Sequence, residues 1–196
     1  MNPSRLVITG LIASGKSTFA DILRKKGEVV IDADAINKSL IQEGGKNYLA
    51  IKREKDFSSA FSEGKLDKKK LGQMIFENPQ KMRKLNAITH KNIIEEIEKE
   101  IEKTDKTRVF VEIPLFFQME EKFQTDKVIL VTCDRDVQIQ RLMARDGISK
   151  DFAKTKIESQ DMLKNMIDNS DIIIDNSGNE KDLNKKINNI LDRGNF

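Results

Sequence analysis

Five short apolar runs punctuate the chain: Leu6-Val7-Ile8, Val29-Val30-Ile31, Val109-Phe110-Val111, Val128 to Val131 and Ile172-Ile173-Ile174. Each is rich in β-branched residues and apolar at consecutive positions, which suits strands covered on both faces, as in a parallel sheet. Between the runs the pattern turns helical. A helix is predicted from Thr18 to Lys26. In the Asn92–Lys103 stretch, Ile93, Ile97 and Ile101 recur every fourth residue as one amphipathic stripe, with Glu95 and Lys99 spaced for an ion pair. Met82, Leu85 and Ile88 predict a separate helix before it, starting after the break at Asn78-Pro79. Two more helical stretches, joined near Gly147, lie between the last two runs. Strands alternating with helices predict an α/β layered fold.

The spacing of the runs adds a second inference. One helix separates the first two, nearly eighty residues separate the second from the third, and about forty separate the fourth from the fifth. A parallel crossover needs only about a dozen residues. Two helical insertions on one parallel-sheet core are therefore expected.

Composition narrows the chemistry. The chain has 196 residues, a length expected for one domain, and its 35 basic residues nearly balance 32 acidic ones to leave a net charge of +3. That charge argues for neither nucleic acid nor an anionic membrane as partner. One Cys and one His exclude an intramolecular disulfide and any zinc site of three or four Cys and His ligands. The only Cys-His dyad available is Cys133 with His90. No apolar run approaches the ~20 residues of a membrane span. Arg5 followed by Leu6 to Ala13 has the outline of a signal peptide, but Thr9 and Gly10 interrupt it and Lys16 follows at once. The segment reads as mature structure, and a cytoplasmic protein is expected.

Gly10-Leu11-Ile12-Ala13-Ser14-Gly15-Lys16-Ser17 matches the phosphate-loop pattern G-x-x-x-x-G-K-[ST], after a strand and before a helix. Gly10 and Gly15 permit backbone angles and close approaches that a Cβ blocks. The loop can then turn N–H groups toward a phosphate at the positive end of the following helix. Lys16 is expected to reach the β- and γ-phosphates and the Ser17 hydroxyl to hold Mg²⁺.

In open parallel α/β sheets the ligand sits beyond the carboxyl ends of the strands. Asp32-Ala33-Asp34 follow the second run, Glu112 and Ile113-Pro114-Leu115 the third, and Asp175-Asn176 the fifth. Asp32 and Asp34 lie two apart at a strand end, Asp34 drawing the most interest: one suits a base that orients a hydroxyl nucleophile and the other an acid holding a Mg²⁺-bound water. The alternative is that either caps the next helix. Glu112 reads equally as a Walker-B-like acid or a structural one. Arg141 and Arg145 are i,i+4 and share a helical side, as clamps for a transferring phosphoryl group or as exposed salt-bridge formers. By themselves, His90 reads as structural, Cys133 as a small hydrophobe, Lys68-Lys69-Lys70 as a solvated helix face, and Met162 and Met166 as core.

Together these residues resemble the dephospho-coenzyme A kinase family of P-loop kinases, from Leu6 to about Leu191. The phosphate loop, Val30 to Ile36, Gly64 to Lys68, Ile75 to Pro79, Pro114 to Phe117, the Gln138, Arg141 and Arg145 pattern, Gln160, and Ile174 to Gly178 carry the likeness. The resemblance implies a P-loop NTPase fold: a five-stranded parallel sheet flanked by helices, in one domain over residues 1–196. Its core would span about 1–36, 105–135 and 169–196, a helical substrate-binding insertion about 37–104, and a helical lid about 136–168. It implies transfer of the ATP γ-phosphoryl group, with Mg²⁺, to the ribose 3′-hydroxyl of dephospho-coenzyme A. It implies catalytic roles for Asp34, Lys16 and Arg141. Nucleotide contacts are implied at Gly10, Ala13, Ser14, Gly15, Lys16, Ser17, Thr18, Arg141, Arg145 and Asn176. Substrate contacts are implied at Asp34, His90, Pro114 and Leu115, and metal contacts at Ser17 and Asp32. A monomer or small homo-oligomer without nucleic-acid or membrane partners is expected. Leu11 and Ala13 stand where the family has glycines, so a stiffer loop is expected. Lys91 stands in place of a proline after His90, Gln118 in place of a Glu, and Met166 in place of a basic residue.

Two rival readings remain at this level: a P-loop kinase for another small molecule, and a nucleotide-binding sensor without turnover. A GTPase is disfavoured, since no Asn-Lys-x-Asp segment reads guanine.

Overall fold

Each of the five apolar runs becomes a strand of one parallel sheet, in a computed structural model that describes residues 2–119, 121, 123–159 and 162–193. The strands are β1 (Ser4–Thr9), β2 (Val30–Asp32), β5 (Arg108–Glu112), β6 (Lys127–Thr132) and β7 (Ile172–Asp175), in the order β2-β5-β1-β6-β7. The remaining strands, β3 (Phe61–Ser62) and β4 (Lys65–Leu66), form a small antiparallel hairpin. Its turn residues Glu63 and Gly64 have φ of 50° and 81°, the left-handed pair that a tight hairpin turn requires. The helices are α1 (Lys16–Lys25), α2 (Ala33–Leu40), α3 (Lys46–Arg53), α4 (Lys68–Phe76), α5 (Pro79–Glu102), α6 (Arg135–Asp146), α7 (Lys150–Glu158), α8 (Leu163–Asp168) and α9 (Glu180–Arg193).

The chain divides into two compact units. Residues 1–31, 104–117 and 124–196 form the first. Strand β1 is central in the sheet, with Leu6 opposite Phe110 on one side and Lys127 on the other. Leu6, Ile8, Phe110, Ile129, Val131 and Ile174 from the strands pack with Phe19, Ile22 and Leu23 of α1 and Leu183, Ile187 and Ile190 of α9. The opposite strand positions, Val7, Val109, Val111, Val128 and Leu130, are buried as well. Burial on both faces is why these strands read as continuous apolar runs rather than alternating ones. The Leu6–Ile8 run is thus the middle of the sheet. A smaller cluster, Ile139, Leu142, Ala153 and Ile157, holds α6 to α7, with Ile12 and Ala13 of the phosphate loop packed against it. Gly147, at φ 65°, ends α6, as expected from the sequence. Met166 is buried in α8, as the core reading expected. The short α8 itself carries too little periodicity to be read from the sequence.

Residues 32–103 and 118–123 form the second unit. Its core is Ile51, Phe57, Ala60, Leu71 and Leu85, bordered by Ile41, Phe61, Leu66 and Ile88. The two helices expected between Met82 and Lys103 are one continuous helix, α5. Its buried stripe runs Leu85, Thr89, Ile93, Ile97, Ile101; polar Thr89 hid the continuation from a purely apolar pattern, and its hydroxyl returns to the Leu85 carbonyl at 2.9 Å. With Lys rather than Pro at 91, nothing breaks the helix beside His90. Asn78 caps it, accepting from the amides of Gln80 and Lys81. The expected Glu95–Lys99 pair is replaced: Glu95 meets Lys46 at 3.4 Å and Lys99 meets Glu96 at 3.0 Å. Lys68, Lys69 and Lys70 are exposed at the start of α4, as the solvated-face reading expected.

Candidate active site

The phosphate loop runs from the end of β1 into α1, and α1 begins at Lys16 rather than at Thr18. Gly15 is the reason. At φ 94° it turns the chain into the helix as its N-terminal cap, without a side chain that satisfies the first amides. The N–H groups of Lys16, Ser17 and Thr18 therefore form the helix N-terminus, where an anion is favoured. A Cβ on Gly15 would overlap the Asn176 side-chain amide, and one on Gly10 would overlap the Val131 carbonyl oxygen. Both glycines are required by close approach. Ala13 sits at φ 57°, a left-handed conformation that a side chain resists.

The loop carbonyls accept hydrogen bonds one after another. The Lys16 ammonium donates to the carbonyls of Gly10 at 2.7 Å and Leu11 at 2.9 Å. Gln138 Nε2 donates to Ile12 at 2.7 Å. The Cys133 thiol lies 3.9 Å from the Ala13 carbonyl. Asn176 Nδ2 donates to Ser14 at 2.9 Å, and Arg141 Nη1 to the same oxygen at 3.4 Å. In a trans peptide the next N–H points the other way, so the amides of Ala13 and Gly15 face opposite to Gln138 and Asn176. The Ser14 hydroxyl is buried without a hydrogen-bond partner among the described residues. A cradle of inward amides, a buried hydroxyl and a loop lysine fits a polyphosphate.

Ser17 donates to Glu112 Oε1 at 3.2 Å, and Glu112 is buried at the end of β5. This pair is what a Walker-B-like acid beside the loop hydroxyl looks like. Thr18 is exposed in the first turn of α1. Thr9 donates to the Pro114 carbonyl at 3.2 Å, which fixes the turn after β5, and Leu115 beside it is half exposed. Asn176 is held by its own backbone, whose N–H donates to Thr132 at 2.8 Å, and by the Asp175–Ser177 turn around it. Hydrogen bonds from Ser177 hold the Asp175 carboxyl below its ordinary range. Burial pushes the Cys133 thiol up, against the pull of Arg141, which fits a packing role and not a nucleophile.

Arg145 does not join Arg141 at the loop. Its Nε donates to Asp146 at 2.8 Å. In the second unit, Asp32 caps α2, accepting from the Ala35 amide at 3.0 Å, the structural alternative anticipated for it. Asp34 lies exposed in the first turn of that helix. His90 lies half-buried within α5. Gln160 falls outside the described residues. The loop-bracing role of Gln138 did not follow from motif reading. One signal was available: a Gln one turn from Leu142, on the buried side of α6, must find a hydrogen-bond partner.

The dephospho-CoA kinase family model matches residues 5–182. The chain belongs to the dephospho-CoA kinase family. A dephospho-CoA kinase of Carboxydothermus hydrogenoformans is 34% identical over 189 residues, covering 95% of this chain and 92% of that relative. A solved protein from Thermus thermophilus superposes with a TM-score of 0.85 at 27% identity, over 98% of both chains. The dephospho-CoA kinase of Campylobacter jejuni superposes with a TM-score of 0.68 at 29% identity, again over 98% of both. This member of the dephospho-CoA kinase family has the P-loop kinase fold, and its phosphate loop follows β1 as the sequence pattern expected. Among the described residues, no helix is long and apolar enough to cross a membrane.

Proposed function

We propose that the chain transfers the γ-phosphoryl group of ATP to the ribose 3′-hydroxyl of dephospho-coenzyme A, giving coenzyme A and ADP in the cytoplasm. One observation carries the reading: a family match over residues 5–182 that includes a loop built to hold a polyphosphate. In the proposed reaction the 3′-oxygen bonds to the γ-phosphorus, the bond to the β–γ bridging oxygen breaks, and the hydroxyl proton passes to a carboxylate. Asp34 is assigned that carboxylate. Its first-turn position on α2, directly after β2, supports the assignment. Lys16 and the loop positions Gly10, Ala13, Ser14, Gly15, Ser17 and Thr18 are assigned to the phosphates. Arg141 is assigned to the transferring group, Arg145 and Asn176 to the nucleotide, and His90, Pro114 and Leu115 to the acceptor. Ser17 would hold Mg²⁺, with Glu112 hydrogen-bonded beside it and Asp32 as a further acid. When bound, Mg²⁺ would neutralise charge on the phosphates.

The test is ADP release by purified protein with ATP and Mg²⁺, offering dephospho-coenzyme A, adenosine, AMP or gluconate in turn. Release with dephospho-coenzyme A alone is expected. Asp34→Asn should keep ATP affinity and lose about 10²-fold or more in turnover, the scale of a positioned base. Near-normal turnover in that variant would remove Asp34 from the role. Release with another acceptor would keep the kinase and discard the substrate.

A further inference from the structure

The hydrogen bonds to the loop carbonyls are uneven in their consequences. Gln138 grips the carbonyl of Ile12, and that carbonyl shares a rigid peptide plane with the amide of Ala13. Turning this plane over reverses the Ile12 carbonyl and the Ala13 amide together and changes φ of Ala13. In the structure φ is 57°, a conformation that a glycine adopts freely and an alanine resists. Without a partner for the Ile12 oxygen, the plane gains by rotating, and the Ala13 amide then leaves the inner side of the loop. Gln138 is itself nearly fully buried, so its amide has no water to turn to and the bond is held firmly.

We infer that Gln138 is a positioning residue for ATP: its side-chain amide locks the Ile12–Ala13 peptide in the phosphate-binding orientation, replacing the conformational freedom that a glycine at 13 would supply. Gln138 reaches no phosphate on this account; it acts through the loop. The inference rests on the ATP site proposed above. It also gives Ala13 a consequence: a loop with a side chain at 13 depends on its brace.

The experiment is a double-mutant cycle read by equilibrium binding of ATP to the full chain, with KM for both substrates measured beside it. Gln138→Met keeps length, helix preference and apolar packing and removes the donor. It should weaken ATP binding about tenfold, the scale set by left-handed alanine. KM for dephospho-coenzyme A should stay within about twofold, because the lesion is local to the loop. In an Ala13→Gly background the same substitution should cost only about two- to threefold, since glycine holds the positive φ unaided. Equal losses in both backgrounds would overturn the inference, as would unchanged ATP binding in Gln138→Met, or parallel rises in both KM values with a lowered Tm. If Gln138→Met fails to fold, Gln138→Glu supplies the same readout, with a carboxylate in place of the donor at the same size. Wild-type protein that binds no ATP would instead sink the nucleotide reading itself, so the two failures are distinct.

Discussion

Arg141 and Arg145 stand one turn apart on α6, yet their guanidinium groups meet different chemistry. Arg141 reaches the Ser14 carbonyl of the phosphate loop, while Arg145 is engaged by Asp146. Residue spacing places two cations on one helical side; it does not say which anion each will find. Asp146 also accepts from Lys156 at 2.9 Å. Hydrogen bonds from Arg145 and then Lys156 hold its carboxyl down at about 2, against an ordinary 3.8. The depressed value means the folded chain favours the ionised form. The resulting stability is fully present above about 4 and fades as pH falls through about 2. Because all three groups reach solvent, salt should weaken the effect. A carbon-detected NMR titration of Asp146 checks this: a midpoint at the ordinary carboxylate value would break the assignment, and Arg145→Ala should raise the midpoint.

Elements were legible where one rule governed them. The three central strands β1, β5 and β6 are apolar because both faces are covered, and the phosphate loop is legible because glycine geometry and a lysine leave a fixed spacing. What the sequence concealed is carried by polar residues that hydrogen-bond across elements. Asn47 is fully buried in α3; its Nδ2 donates to Asn37 Oδ1 of α2 at 3.0 Å, and its Oδ1 accepts from Asn92 Nδ2 of α5 at 2.8 Å. Three asparagines on three helices read as surface positions until the fold joins them. Likewise Gln138 braces a loop remote in sequence. None of these contacts has a local period or a fixed spacing. The amide chain fixes α2, the helix that carries Asp34. Asn47→Ala takes a partner from the half-buried Asn37 and Asn92 and leaves a small void, a loss of about 2–3 kcal/mol. For a chain of this size that is a fall in Tm of about 5–12 °C. Turnover should fall further than ATP affinity, since the loop lies on other elements. Thermal unfolding with ATP binding and turnover on the same sample checks both parts; an unchanged Tm would mean the amide chain contributes little.

At the scale of the whole molecule, the insertion expected from the long gap between the second and third runs has a core of its own. Ile51, Phe57, Ala60, Leu71 and Leu85 enclose one another within residues 32–103, while the sheet core draws on β1, β5, β6, β7, α1 and α9. Two cores predict two levels of local stability. The braces described for the phosphate loop lie in the sheet unit: they come from α6, from the end of β6, from the turn after β7 and from its own lysine. A lesion in the other core should therefore spare it. Phe57→Leu removes packing from a fully buried ring and should cost about 1–2 kcal/mol. Amide hydrogen exchange should then quicken in α3, α4 and α5, with β1, β5 and β6 keeping their protection. ATP affinity should stay within about twofold, while use of the acceptor weakens, because the residues assigned to it include His90 on α5 and Asp34 on α2. Equal loss of protection in the central strands would show that the chain unfolds as one cooperative body. In that case nucleotide and acceptor binding would have to fall together.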